Sequence, residues 1–463
     1  MSPDEFRRFG HATVDWIADY LSHPEHYPVL AQIEPGQLVD ALPVAGPEQG
    51  EPMERLLEDF EKLIVPGITH WNHPGFMAYF ANTAPGPGII GEMLCAALNA
   101  NAMLWKTSPA ATELEQVVLD WLRQWMVLPD GLFGIIYDTA STSSMHAVAA
   151  AREMADPEAR SLGASRGFTL YCSEEAHSSI EKGAIAIGVG QQNVRKIPVD
   201  DDFRMIPEAL EAAVKADRAA GLRPFCVVAT VGTTSTTSID PVPAVADIAA
   251  RYGMWLHVDA AYAGSAAIVP ELRYILDGVE RADSLVVNPH KWFFTPFDLS
   301  VFYTRRPEIL RRTFSLIPEY LRTAQDGRAV NFMDYGVPLG RRFRALKLWF
   351  VMRYFGHQHM AEMIRRQVSW AQELAAIVDA DPAFERSAPS PLSVVCFRYK
   401  GTDDENRRIL ETVNAGGEFF LSHTVLRGRY TLHLAIGNMG TTREHVMRAW
   451  QAVRHAAGLS KHL

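Results

Sequence analysis

Apolar residues recur three and four apart from residue 1 to about 30 and again over 52–65, the spacing of one helix face. A Pro- and Gly-rich stretch from Glu34-Pro35-Gly36 to Gly50-Glu51-Pro52 separates the two. Stripes this short cannot bury themselves, so they predict a helical arm lying on another part of the protein or on a second subunit. From about 86 to 340 the pattern changes. Helical segments alternate with short β-rich runs at 133–137, 168–172, 225–230, 255–258, 284–287 and 300–303. This predicts an α/β domain with a largely parallel sheet, whose ligands sit where the strands end at their carboxyl termini. After Arg341-Arg342-Phe343-Arg344 a long helical stretch reaches about residue 378. Strand-like 392–398, a helix near 403–414, strand-like 430–435 and a terminal helix from Thr442 then predict a smaller α+β domain. The expected division is an arm over 1–85, a large domain over 86–345 and a small domain over 346–463, with no internal repeat.

Composition narrows the class. A chain of 463 residues, 48% hydrophobic and 21% charged, has the balance of a soluble globular protein with a sizeable core. No apolar run reaches membrane-spanning length without a charge or turn signal. The start, Met1-Ser2-Pro3-Asp4-Glu5-Phe6-Arg7-Arg8, is acidic and leads into an amphipathic pattern rather than a secretory signal, so the cytoplasm is the expected location. A net charge of −10 argues against nucleic acid or an anionic membrane as main partner. Cys95, Cys172, Cys226 and Cys396 form no C-x-x-C pair and point to neither disulfides nor a metal.

Two strand ends carry the candidate chemistry. Asp259 follows Trp255-Leu256-His257-Val258 and precedes the small-residue run Ala260-Ala261-Tyr262-Ala263-Gly264. Lys291, in Asn288-Pro289-His290-Lys291-Trp292, follows another strand by four residues. The two could form a structural ion pair, but pyridoxal 5′-phosphate (PLP) requires the same pair: a Lys for the imine and an Asp that keeps the pyridine nitrogen protonated. Trp292-Phe293-Phe294 would exclude water from the imine. Thr139-Ala140-Ser141-Thr142-Ser143-Ser144, between a strand and a helix, offers amides and hydroxyls to a phosphate, though it also reads as an ordinary N-cap. Gly232-Thr233-Thr234 is a second phosphate contact or a turn. No G-x-x-x-x-G-K-[ST] or strand-borne G-x-G-x-x-G is present, which demotes nucleotide binding. His177, in Glu174-Glu175-Ala176-His177-Ser178-Ser179, is a capping group or, beside a ring cofactor, a stacking base.

Together these residues resemble the group II PLP-dependent decarboxylases, the family of aromatic-L-amino-acid, tyrosine and histidine decarboxylases. The likeness extends over nearly the whole chain and is most specific in four stretches. They are His257-Val258-Asp259-Ala260-Ala261-Tyr262-Ala263-Gly264-Ser265-Ala266, Asn288-Pro289-His290-Lys291-Trp292, Ser108-Pro109-Ala110-Ala111-Thr112-Glu113-Leu114-Glu115 and Pro338-Leu339-Gly340-Arg341-Arg342-Phe343-Arg344. The resemblance implies an α/β fold-type I enzyme, like aspartate aminotransferase, working as an obligate homodimer with its arm over the partner. It implies Lys291 as the Schiff-base lysine, Asp259 as the pyridinium partner, His177 as the stacking histidine and Ala261 under the ring. Ala140, Ser141, Thr233, Ser284, Asn288 and His290 match residues around the phosphate. Trp71, Tyr79 and Phe80 match the substrate pocket, with Asn101 and Met103 on a segment resembling one contributed across the dimer.

The departures concern the substrate and the product. Tyr79-Phe80-Ala81-Asn82 stands where animal members read Tyr-Phe-Pro-Thr, and Asn101 and Met103 replace an aliphatic and an aromatic residue, so Asn82, Asn101 and Met103 alter pocket size and polarity. Counting back without a gap from Pro338-Leu339-Gly340 puts Phe332 at the mobile-loop position where decarboxylases of the family carry a catalytic Tyr. Members with Phe there resemble aromatic aldehyde synthases. The expected reaction is decarboxylation of an aromatic L-amino acid coupled, through Phe332, to oxidative deamination, with molecular oxygen consumed and an arylacetaldehyde, CO₂, NH₃ and H₂O₂ formed. The alternative is simple decarboxylation to the amine, with Tyr335 near enough to restore a hydroxyl. Another PLP reaction or a non-catalytic dimeric scaffold are further readings.

Overall fold

The computed structural model describes residues 1–163, 167–316 and 329–459. They form two compact units, the larger made of the described residues within 82–376 and 386–396, the smaller of 1–81, 377–385 and 397–459. The larger unit is built on seven strands: β1 Phe133–Tyr137, β2 Phe168–Ser173, β3 Val194–Ile197, β4 Arg223–Thr230, β5 Trp255–Asp259, β6 Ser284–Val287 and β7 Ser300–Thr304. Their order in the sheet is β1-β7-β6-β5-β4-β2-β3. Only β7 runs against its neighbours, β1 and β6, and the remaining pairings are parallel. This is the α/β fold, with a mostly parallel sheet, expected of fold type I.

Strands β2, β5, β6 and β7 are buried at every position, which is why they read as unbroken apolar runs rather than alternating ones. The helix Ala140–Ala155 lies on this sheet through Ala147, Val148, Ala150 and Ala151, side chains small enough for close approach. Six strands match the six runs expected from the sequence. The seventh, β3, is an edge strand whose Arg195 and Lys196 break the apolar pattern.

In the smaller unit the helix Pro3–Ser22 starts on a capping box made by Ser2 and Glu5 and buries none of its residues. The strands Phe76–Met77 and Phe420–Leu426 pair in parallel, and Phe420–Leu426 pairs antiparallel with Arg429–Ala435. Helices Asp403–Ala415 and Arg443–Ala456 follow the expected positions and begin on capping boxes at Thr402 and Thr442. The expected long helix is Ala345–Ala380, interrupted at Gly356, whose φ of +71° a side chain would resist. Among the described residues no helix is long and apolar enough to cross a membrane.

Candidate active site

The carboxyl ends of β5 and β6 are stitched together by their following turns. Asp259 Oδ1 accepts from the Ala261 amide at 3.1 Å, and the Asn288 amide donates to the Ala261 carbonyl at 2.9 Å. The Lys291 amide then donates to the Asn288 carbonyl at 2.9 Å, closing the turn that presents the lysine. Trp292, Phe293 and Phe294 anchor that turn in the core, with Trp292 stacked on Tyr262 at 4.7 Å and its indole N–H bonded to Gln367. The small residues after Asp259 have a steric reason as well. A Cβ on Gly264 would sit 2.7 Å from Val287 and 3.1 Å from Ala260.

Lys291, Asp259 and His177 share one electrostatic neighbourhood. Burial pushes the Lys291 ammonium below its ordinary value, while the attraction of Asp259 opposes the fall. The consequence is a larger share of neutral amine, the nucleophilic form. His177 is also lowered, by burial first, with Asp259 acting to raise it and Lys291 to lower it. Its Nδ1 accepts from the Ser179 amide at 3.2 Å, which leaves the proton on Nε2. Ser179 escaped the sequence reading, although a Ser two residues after a His is a visible local pairing.

A phosphate fits the end of the helix Ala140–Ala155. Thr139 provides no side-chain cap, and the first intrahelical bond runs from the Ser143 amide to the Thr139 carbonyl, so the amides of Ala140, Ser141 and Thr142 precede the helical ladder. Asn288, in the turn before Lys291, can also offer a donor. His290 Nδ1 accepts from the Leu299 amide at 3.0 Å, so its proton is on Nε2, 3.4 Å from Asn288 Nδ2, while the buried Asn288 Oδ1 has no partner. Turning the amide over satisfies both facts: Oδ1 takes the His290 proton and the NH₂ occupies the orphaned position, free to donate to an anion. Burial pushes His290 down to about 3, which keeps its ring neutral in this arrangement.

The other expected phosphate ligands are engaged elsewhere. The Thr233 hydroxyl accepts from the Ser238 amide at 3.0 Å and bonds Thr236 at 2.9 Å. Ser284 Oγ accepts from the Trp255 indole and meets His257 Nδ1, both at 2.9 Å, and His257 Nε2 reaches Ser144 at 3.1 Å. Ala261 is buried between Asp259 and Asn288, as a residue under a flat ring would be.

Of the expected substrate residues, Trp71, Tyr79 and Phe80 belong to the smaller unit and Asn82, Asn101 and Met103 to the larger. Asn101 accepts from the Arg341 amide at 3.0 Å and its amide group points at Met103 Sδ, 3.6 Å away. The Met103 carbonyl takes the Met333 amide at 2.9 Å.

Phe332 lies in a short turn, Phe332–Tyr335, and is 1% exposed in the core of the larger unit. The Arg341 guanidinium covers one face at 4.6 Å, and Phe133 stands 6.1 Å away. Arg341 is itself fixed by Glu115 at 2.6 Å and the Ile136 carbonyl at 2.8 Å. A side chain held this way is part of the core packing. Tyr335 stacks on Phe133 at 4.5 Å, and its carbonyl accepts from the Tyr137 hydroxyl. The rest of the expected mobile loop, 317–328, lies outside the described residues.

Comparison with known proteins identifies the family. Residues 35–400 match the model of the pyridoxal-dependent decarboxylase conserved domain. A tryptophan decarboxylase of Camptotheca acuminata is 41% identical over 99% of this chain and 94% of its own length. A phenylacetaldehyde synthase of Arabidopsis thaliana is 40% identical over 100% and 98%. The crystal structure of Oryza sativa TDC with PLP and tryptamine superposes with a TM-score of 0.96 at 37% identity, covering 99% of this chain and 98% of that one. A family model matched over most of the chain, and relatives about 40% identical along its whole length, mean that the chain belongs to the pyridoxal-dependent decarboxylase family.

Proposed function

We propose that the protein decarboxylates aromatic L-amino acids of the phenylalanine, tyrosine, DOPA and tryptophan class, releasing the amine, and that it works as a homodimer. The observation that carries the choice of product is the burial of Phe332 beneath Arg341. The oxidative outcome rested on that residue replacing a proton donor, and a core phenylalanine replaces none.

Bound PLP supplies the electron sink that lets the α-carboxylate depart as CO₂. In this reading Ala140, Ser141 and Asn288 hold the phosphate, and the Asp259 carboxylate holds a proton at the pyridine nitrogen. Lys291, its ammonium destabilised by burial, would form the imine with the cofactor, and His177, with its proton on Nε2, would stack on the ring. Trp71, Tyr79 and Phe80 receive the aromatic side chain, while Asn82, Asn101 and Met103 tune its size and polarity. A second chain is supported by uncovered apolar surface: Ile90, Met93, Leu94 and Leu98 share one face of the helix Gly86–Leu98, 44–63% exposed.

One observation favours a second reading, an aldehyde synthase: the 40% identity to the Arabidopsis thaliana phenylacetaldehyde synthase. Incubation with the four amino acids separates the two when CO₂, amine, aldehyde and oxygen are recorded. The expected result is one amine per CO₂ without oxygen uptake. Aldehyde formed with matching oxygen consumption refutes the amine reading. The segment between Ser315 and Pro338 contains one tyrosine besides Tyr335, namely Tyr320, outside the described residues. Tyr320→Phe is expected to slow amine formation by about 10²–10⁴-fold, the loss of a general acid; an unchanged rate removes Tyr320 as donor.

A further inference from the structure

Tyr79 has a left-handed backbone, with φ of +49°, a conformation unfavourable to a non-glycine residue that persists only where its surroundings hold it. What holds it is remote in sequence. The Tyr79 amide donates to Ser422 Oγ at 3.0 Å, and Ser422 Oγ lies 3.1 Å from His433 Nδ1. Ser422 and His433 are register partners on the antiparallel strands Phe420–Leu426 and Arg429–Ala435, and both are buried. Phe80, the next residue, sets its ring edge-on to His433 at 6.3 Å. The turn so fixed leaves the Tyr79 ring 56% exposed, stacked with Trp71 at 6.4 Å and standing on Phe420 at 5.8 Å.

We infer that Ser422 and His433 are positioning residues for the aromatic substrate. The serine takes the Tyr79 amide and, with its second bond, ties that turn to His433. This cross-strand pair sets where the Tyr79 and Phe80 rings stand, and Trp71 follows through its stacking on Tyr79. Neither Ser422 nor His433 needs to touch the substrate. The inference rests on the assignment of Trp71, Tyr79 and Phe80 to the substrate pocket.

The test is steady-state kinetics of the holoenzyme with tryptophan, tyrosine, phenylalanine and DOPA, comparing wild type with Ser422→Ala, Ser422→Thr and His433→Phe. Ser422→Ala is expected to raise KM about tenfold, the factor equivalent to about 1.4 kcal/mol. Its kcat should stay within about twofold and its cofactor absorbance unchanged, the pattern of lost uniform binding. Ser422→Thr keeps the hydroxyl and should restore KM. Should Ser422→Ala fail to fold, His433→Phe carries the test, since it removes the second link while keeping a ring beside Phe80. Unchanged KM in the folded variant overturns the inference, as does an equal rise in Ser422→Ala and Ser422→Thr. A wild type that turns over none of the four amino acids overturns the functional reading itself, and the two failures are thereby distinct.

Discussion

Replacing Phe332 by Tyr should cost stability and leave the product unchanged. The added hydroxyl would enter a site that is 1% exposed, capped by Arg341 at 4.6 Å and bounded by Phe133. Burying a hydroxyl without a partner costs about 1–3 kcal/mol, and forcing an extra atom into a packed core costs a similar about 1–3 kcal/mol. Arg341 cannot swing away cheaply. Its side chain is 7% exposed and already bonded to Glu115, to the Ile136 carbonyl and, at 3.3 Å, to the Ala102 carbonyl. A net loss of about 2–4 kcal/mol is expected, since backbone relaxation offsets part of the sum. The assay is urea unfolding of the holoenzyme at fixed PLP concentration, because bound cofactor adds stability by mass action. The midpoint should fall while the ratio of amine to aldehyde stays that of the wild type. An undiminished midpoint with a shifted product ratio would refute the reasoning, because it would mean that position 332 faces the chemistry.

Two further outcomes follow from the same core. His146 sits between Tyr137 and Phe314, with Nε2 accepting from the Val337 amide at 3.3 Å, and burial pushes it down from 6.5 to about 4. A depressed histidine means the unfolded chain binds the extra proton first, so this contribution is intact above pH 6.5 and drains away as pH falls towards 4. At about 1.4 kcal/mol per unit it reaches about 3 kcal/mol, and urea midpoints measured across that window should fall less steeply in His146→Val than in wild type. Glu115→Gln breaks the buried pair with Arg341, with side chains 2% and 7% exposed, and should lower stability by about 3–5 kcal/mol. A midpoint equal to wild type would show that the pair contributes nothing.

What was legible in the sequence is what the chain keeps contiguous. Asp259 with its small-residue run and Lys291 with its aromatic anchors each occupy a few consecutive positions, and a strand end holds such a stretch in one place whatever surrounds it. The strands themselves were visible because full burial makes them unbroken apolar runs. Strands with exposed positions were not: Arg195 and Lys196 in the edge strand β3, and the exposed His423 in Phe420–Leu426, interrupt the apolar pattern. Hydroxyl partners were equally hidden, because Thr233 and Ser284 choose between an anion and the protein by distances that no spacing encodes. Phe332 shows the limit most sharply. Counting back from Pro338 treats the segment as a ruler, yet its position is decided by Arg341 and Glu115, 226 residues apart in the chain and 2.6 Å apart in space. Such a pair anchors the segment from its far end, so a residue there can occupy the core while chemistry expected of it falls to another position. If the amine is the product, position 332 is silent in that choice, and the comparison that tests this is between variants on both sides of the anchor, Phe332→Tyr and Glu115→Gln, rather than the identity of one letter.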